Sequence, residues 1–267
     1  MNRASSSALE SVGYVLEEIY SYAADATRVH FWRGQEDVDW PTYPTLYRRL
    51  RLRFDIDEIT EELVERYETD LLCEANGRGF YLGNVIETLI EAQHNGGATR
   101  FLDVSRDPLV ALWFASGHSH PGKVGAVLHF SLPLDRVVNY FEVDSLDEVL
   151  DSTEEQGPRA YVPATRSERV KAQRAGFLVG RIRENLASNN PFEWSDQYFH
   201  IDKIEIDSDL KSSLREYLAK NCGLDGIGVY PDFAGFAQSN GPTHPFSRTD
   251  RDLYDGRDGL FPKKFGE

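Results

Sequence analysis

Hydrophobic residues recur along the chain with two periods, one typical of helices and one typical of strands. Leu9, Val12, Leu16 and Ile19 are spaced three or four residues apart after a serine-rich start, which predicts an amphipathic helix. The same spacing predicts three further helices, and apolar side chains at every second residue predict five strands. The predicted helices cover residues 5–25, 55–72, 84–96 and 208–223, and the predicted strands cover residues 27–35, 123–133, 177–183, 199–207 and 226–231.

Individual residues predict where some of the helices begin and end. Asp107 and Pro108 precede the apolar run "LVALWFA", and these residue types are typical of a helix N-cap and first helical position. Gly223 is expected to end the last helix. Beyond Gly241 the sequence becomes charged and irregular. With no internal repeat or low-complexity linker, the pattern predicts one α+β domain over residues 1–240 and an irregular tail over residues 241–267.

Composition and charge narrow the class of protein. The chain has 267 residues with 40% hydrophobic content, which suits one large globular domain. A net charge of −15 argues against a broad nucleic-acid-binding face or a polybasic membrane patch, although a local basic pocket is compatible with it. The two cysteines, Cys73 and Cys222, predict no disulfide framework and hence a reducing cytoplasm. The sequence also predicts no secretory signal, no membrane span and no zinc site.

The segment Phe31-Trp32-Arg33-Gly34-Gln35 is the first candidate for chemistry. Arginine is a permanently charged fork that binds phosphate or carboxylate through two hydrogen bonds. A glycine beside it allows a ligand or another backbone to approach closely. The segment therefore suits an anionic ligand against a strand. An arginine paired with a buried aspartate beside a turn glycine fits the same residues.

The loop over residues 93–103 is the second candidate, because it brings polar side chains and a glycine pair together. His94, Thr99, Arg100 and Asp103 offer several hydrogen-bonding groups to a ligand. Equally, His94, Arg100 and Asp103 could bond to one another and only fasten the loop. A single histidine without suitably spaced partners does not predict a metal site.

Two shorter segments follow. Ser105, just ahead of a predicted helix, suits either a cap or a hydroxyl in a site. Glu168 and Gln173 lie among basic residues ahead of a predicted strand, and three of these, Arg166, Lys171 and Arg174, are expected to be exposed. No segment is specific by itself, and the chain contains no phosphate-binding P-loop, nucleophile elbow, HExxH or GxGxxG motif.

Taken in order, the segments resemble the FRG domain family. The matching segments are "FWRGQ", "YPTLYRR", "QHNGGATRFLDVSRDPLVALWFA", "RVKAQRAGF" and "IGVYPDFAGFA", over roughly residues 28–240. Members of that family share an aromatic-Arg-Gly strand, a QHxGxxTRLLDxT loop and a late Arg-x-x-x-Gln-x-Gly-x-Phe motif. Two positions depart from the pattern, Val104 where the family has an aromatic residue and Ser105 where it has threonine.

A second, more distant similarity implies a reaction and assigns roles to three residues. The order of Arg33, Ser105 and Glu168 is similar to the Arg–Ser–Glu order of ADP-ribosyltransferases, whose α+β fold grips NAD between two split small β-sheets with flanking helices. The similarity implies that Arg33 holds NAD, Ser105 is the middle serine and Glu168 is the catalytic carboxylate. Gln173 belongs to the FRG pattern and is the alternative third residue. The residues expected to contact NAD are Trp32, Gly34, His94, Thr99, Arg100 and Asp103, with Gly34 making room for the nicotinamide.

These resemblances predict an enzyme that uses NAD as substrate and cleaves its nicotinamide–ribose bond, and a role as a bacterial toxin or anti-phage effector is compatible with that activity. A protein, a nucleic acid or water would accept the ADP-ribose, and an inhibitory partner protein is compatible with such a role. A non-catalytic nucleotide- or nucleic-acid-binding module built on Trp32, Arg33, His94 and Arg100 is the main alternative. A hydrolase using Asp103 and His94 is a weaker one, because no nucleophile lies at a strained turn.

Overall fold

The computed structural model describes residues 3–117, 119–120, 122–143, 145–164, 167–182, 190, 192 and 197–239, with residues 3–10, 56, 238 and 239 described as backbone alone. The predicted tail over residues 241–267, like Arg166, lies outside the described residues. Within the described part of the chain, no helix has both the length and the apolar character required to cross a bilayer.

Helices confirm most of the predicted pattern. The α-helices are α1 (Arg3–Tyr22), α2 (Thr45–Leu50), α3 (Glu61–Gly77), α4 (Val85–His94), α5 (Pro108–Ala115), α6 (Leu146–Leu150), α7 (Thr153–Gln156), α8 (Glu168–Ala172), α9 (Lys211–Cys222), α10 (Gly226–Val229) and α11 (Phe233–Ser239). As predicted, the Asp107 carboxylate accepts a hydrogen bond from the Leu109 N–H and Pro108 begins α5. Gly223 ends α9 with a left-handed φ of 68°. Helix α3 begins later than predicted, because Thr60 caps it by accepting from the Leu63 N–H.

Seven strands form one sheet. They are β1 (Arg28–Gln35), β2 (Leu102–Ser105), β3 (Gly125–Pro133), β4 (Val137–Asn139), β5 (Arg159–Val162), β6 (Ala175–Val179) and β7 (His200–Ile206). Their order is β4-β5-β6-β2-β1-β3-β7, with β4 and β5 parallel and the other neighbours antiparallel. The prediction of a mixed domain of helices and strands is confirmed. The prediction of two separate small sheets is corrected to one continuous sheet.

The continuous sheet has a weak junction at its centre. Strand β1 pairs with β3 along its whole length, from Arg28 opposite Pro133 to Gln35 opposite Ala126. It pairs with β2 at one position alone, Trp32 opposite Ser105. The two halves of the sheet, β4-β5-β6-β2 and β1-β3-β7, are therefore joined through that single pair.

Different helices pack on the two halves of the sheet. Trp32 joins α1, α5 and α9 in one apolar cluster, whereas its neighbour Phe31 packs in a different cluster with Leu102 and Phe130, as the alternation of a strand requires. Helix α4 packs against Phe101 and the other half of the sheet. The predicted strand at residues 226–231 is wrong, because Asp225 caps a short helix there by accepting from the Gly228 N–H.

The buried imidazole of His129 and the half-buried imidazole of His30 form a hydrogen-bonded chain across β1 and β3. Nε2 of His30 lies 2.8 Å from the Asp25 carbonyl oxygen, Nδ1 of His30 lies 2.9 Å from Nε2 of His129, and Nδ1 of His129 lies 2.9 Å from Oδ2 of Asp202. These contacts link β1 to β3 through the two rings, and β3 to β7 through Asp202.

We expect the stability of the protein to fall as the pH drops below about 6.5, the ordinary pKa of histidine. Burial lowers the pKa of His129, with His30 and His200 adding to the effect and Asp202 opposing it. The unfolded chain therefore binds more protons than the folded chain in this range, and the free energy of unfolding rises with pH. Urea denaturation at several pH values measures this slope, and a flat or inverted slope would contradict it.

Candidate functional site

A cavity of about 240 Å³ lies at the weak junction of the sheet, between β1, β2, α5, α8 and α10. Hydrophobic residues on α5, Val110, Ala111 and Phe114, line one part of it. The residues with polar or charged groups in its lining are Arg33, Gln93, His94, Asp103, Ser105, Arg169, Gln173 and Tyr230. Residues far apart in the sequence thus meet in one hollow, which we call the junction cavity.

Arg33 is a half-buried cation in this cavity. Its Nη1 donates to the carbonyl oxygen of Asp103 at 2.7 Å, and its Nε is buried with no hydrogen-bond partner among the described residues. No carboxylate of the described residues forms an ion pair with it, so the alternative of an arginine paired with a buried aspartate is not found there. Burial lowers the pKa of Arg33, and the nearby Asp103 carboxylate opposes that effect. An anionic ligand would offset the same desolvation.

Asp103 is held in place by an oriented amide. Nε2 of Gln93 donates to Oδ2 of Asp103 at 2.7 Å. Oε1 of Gln93 accepts from the hydroxyls of Thr45 at 2.8 Å and Thr99 at 2.7 Å, so the amide nitrogen must face the carboxylate. Thr99 is fully buried and does not line the cavity. Thr99, which the resemblance predicts as a contact of NAD, thus lies behind Gln93 and helps to position its amide.

His94 lines the cavity with an unused ring nitrogen. Its imidazole packs edge-on against Phe177, with ring centres 5.6 Å apart, and its Nε2 is buried without a hydrogen-bond partner among the described residues. Burial lowers the pKa of His94, although the charge of Asp103 opposes this. The imidazole is therefore neutral near pH 7, and it can accept or donate one hydrogen bond in the cavity.

Arg169 and Tyr230 also line the cavity, although the sequence did not predict them as site residues. Nε and Nη2 of Arg169 contact the two carboxylate oxygens of Asp232 at 2.7 and 2.8 Å, and Nη1 donates to the His94 carbonyl oxygen at 3.1 Å. The guanidinium also lies 5.0 Å from the centre of the Tyr230 ring. Both residues occur in segments that resemble the FRG family, and that resemblance was the available signal.

Ser105 and Gln173 occupy the cavity wall together. The Ser105 hydroxyl donates to the Gln173 carbonyl oxygen at 2.7 Å and accepts from the Asp107 N–H at 2.9 Å. It therefore ties the end of β2 to the turn before β6 and to the start of α5. The Gln173 side chain also lines the cavity, where its Nε2 donates to the Val229 carbonyl oxygen at 3.3 Å.

Glu168 and Arg100 lie away from the cavity. Glu168 is exposed in the first turn of α8 and pairs with Lys171 at 2.7 Å. Arg100 is 1% exposed and pairs with both Glu68 and Glu61 of α3 at 2.7 Å. Arg100 thus fastens the loop over residues 93–103 to α3. A fastening role was one of the two interpretations of this loop, but with His94 and Asp103 as the expected partners. Arg100 is not among the residues that line the junction cavity, although the resemblance predicts it as a contact of NAD.

Gly34 and Trp32 border the cavity but are explained largely by packing. A Cβ on Gly34 would lie 2.6 Å from the Ala115 nitrogen and 2.7 Å from the Phe114 Cβ, and it would also collide with the Ala111 carbonyl oxygen. The absent side chain therefore lets α5 approach β1, and this close approach explains the glycine without a ligand. Trp32 is 1% exposed and packs against His129.

Residues 28–123 match the FRG domain model. The resemblance to the FRG family is confirmed over that range, which contains Arg33, Gln93, His94 and Asp103. The FRG match ends before Arg169, so the remaining cavity residues come from the later part of the chain. No curated protein and no solved structure matches the chain.

Proposed function

We propose that the junction cavity binds NAD and that the protein cleaves the nicotinamide–ribose bond as an ADP-ribosyltransferase-like enzyme. The observation that carries this proposal is the half-buried guanidinium of Arg33, whose buried Nε has no partner among the described residues. NAD supplies two phosphate charges, and phosphate is a preferred partner of arginine. We extend the proposal to a toxic or anti-phage use of this activity in the cytoplasm.

The size of the cavity supports partial enclosure of the dinucleotide. Ligand pockets commonly measure about 300–1,000 Å³, and the junction cavity, at about 240 Å³, is smaller. On this proposal the nicotinamide and its ribose occupy the cavity, and the rest of NAD extends outward past Arg33. The weak junction between β1 and β2 supports a distant likeness to a fold in which two sheets grip NAD.

Asp103 is the carboxylate that we assign to catalysis. Cleavage of the bond from ribose C1′ to nicotinamide N1 passes through an oxocarbenium-like state, which a nearby negative charge stabilises. Among the described residues that line the cavity, Asp103 is the acidic one, whereas Glu168 is exposed and paired with Lys171. Gln173 would orient the ribose as a hydrogen-bonding partner. The role predicted for Glu168 therefore passes to Asp103 in this proposal.

The direct test is release of nicotinamide from NAD by the purified protein. We expect the Arg33→Ala variant to lower kcat/KM about 10- to 100-fold, because hydrogen bonds to charged groups contribute about 1.5–3 kcal/mol. Arg66→Ala is the matched control, since Arg66 is an exposed arginine on α3 and outside the cavity. Absence of release by the wild type with water, protein and nucleic acid as acceptors would count against the enzyme.

A non-catalytic nucleotide-binding module is the second candidate. It is favoured by the exposed position of Glu168 and by the hydrogen bond that Gln93 already makes to Asp103. This candidate predicts that NAD binds in titration calorimetry, that Arg33→Ala weakens binding, and that no nicotinamide is released.

A further inference from the structure

A second and larger cavity, of about 1,000 Å³, lies between α3, α4, the end of β5 at Tyr161 and the α8 residue Val170. We call it the α3–α4 groove. Apolar side chains make up much of its lining, among them Leu71, Ala75, Ile90, Tyr161 and Val170. Its volume is at the upper end of the range for ligand pockets, which is large enough for several side chains of a peptide.

Large apolar side chains stand in solvent at the edge of this groove. Phe80 is 67% exposed and Leu82 is 52% exposed, and both also line the groove. They lie between Gly79 and Gly83, which have left-handed φ angles of 77° and 82°. Exposed apolar residues continuous with an apolar groove are typical of a surface that binds another molecule.

The negative charge of the groove lining favours one class of binding partner over others. Glu74, Glu87 and Glu91 line it, against one cation, Arg78. Nη2 of Arg78 pairs with Glu74 at 2.8 Å, so the surplus charge of the lining is negative. This charge disfavours nucleic acids and anionic membranes, and it complements a partner that carries lysine or arginine.

We propose that the α3–α4 groove binds a peptide segment of a partner protein that combines large apolar side chains with at least one arginine or lysine. The apolar side chains pack on the groove floor and against Phe80 and Leu82, and the cation faces the glutamates. His94 lines both this groove and the junction cavity, so a bound segment lies beside the same imidazole. The proposal is independent of NAD cleavage, because the binding needs no NAD.

The experiment is a selection of random peptides of about a dozen residues, displayed on phage, against the full-length protein without NAD. Enriched peptides are then synthesised with a fluorescent label, and their Kd is measured by anisotropy. We expect enriched peptides to carry a net positive charge and at least two large apolar residues. Enrichment of acidic or purely polar peptides, no enrichment, or tighter binding of a labelled single-stranded oligonucleotide would overturn the proposal.

Groove variants show whether the peptides bind at this site. We expect Ala75→Trp, which fills the groove, and the double variant Phe80→Ser/Leu82→Ser, which changes only exposed side chains, to raise Kd about tenfold or more. Leu52→Ser is the control, because Leu52 is 82% exposed outside the groove. An unchanged Kd in the double variant overturns the proposal even if Ala75→Trp fails to fold.

The charge of the lining is tested separately. Glu91→Lys should weaken binding of the selected peptides, whereas Glu17→Lys, an equal charge change on the exposed surface of α1, should leave their Kd unchanged. Equal effects of the two variants would overturn the assigned role of the glutamates.

Discussion

We expect the Arg100→Met variant to lose about 3–5 kcal/mol of unfolding free energy, because the substitution leaves a buried carboxylate without its charged partner. Arg100 and Glu68 are 1% and 3% exposed. After the substitution, Glu68 keeps the weaker bond from the backbone N–H of residue 100, at 3.3 Å, and loses the one from Nε at 2.7 Å. Glu61 keeps the Ile182 N–H as a partner, so the loss centres on Glu68.

Urea denaturation near pH 7.5 measures the change, with Arg66→Met as the control for an exposed arginine on α3. The double variant Arg100→Met/Glu68→Met should recover much of the stability, since a buried ion pair can often be replaced by apolar residues. Burial already raises the pKa of Glu68, with Arg100 opposing that effect. The defect of Arg100→Met should therefore shrink as the pH falls and Glu68 takes up a proton. An Arg100→Met variant no less stable than Arg66→Met would contradict this explanation.

Elements with local signals were predictable from the sequence. The start of α5 at Pro108 and the end of α9 before Gly223 depend on a cap and a left-handed glycine that act within a few residues. The strand predicted at residues 226–231 is wrong for a related reason. Its β-branched and aromatic residues favour a strand, but the bond from the Gly228 N–H to Asp225 starts a helix instead.

The candidate site was predictable only in part. The position of Arg33 at a strand beside a glycine indicated a ligand-binding cation, and the structure places it in a cavity. The interpretation of Arg100 depended on residues that the loop does not contain, because Glu61 and Glu68 reach it from a helix more than thirty positions earlier. Thr99 likewise faces Gln93 rather than a ligand. Whether a polar residue of this loop faces the cavity or the interior thus depends on partners that lie far away in the sequence.

We expect the Asp103→Asn variant to lower kcat for nicotinamide release by about 10²–10³-fold with little change in KM, on the basis of the proposed function. The amide has the shape of the carboxylate, and its oxygen can still accept the 2.7 Å bond from Gln93. Arg33 binds the backbone carbonyl of residue 103, so its position does not depend on the side chain that changes. The substitution therefore removes the negative charge that would stabilise the oxocarbenium-like state and leaves the neighbouring contacts in place.

The matched control for Asp103→Asn is Glu168→Gln, the same change of carboxylate to amide on an exposed residue. Glu168 pairs with Lys171 outside the junction cavity, so the variant should release nicotinamide at the wild-type rate. Both rates are measured by separating nicotinamide from NAD at saturating NAD, after urea denaturation has shown that the variants fold. If Glu168→Gln were the inactive variant and Asp103→Asn the active one, the reacting ribose would have to lie at the exposed face of α8. The assignment of the junction cavity as the site of bond cleavage would then be wrong.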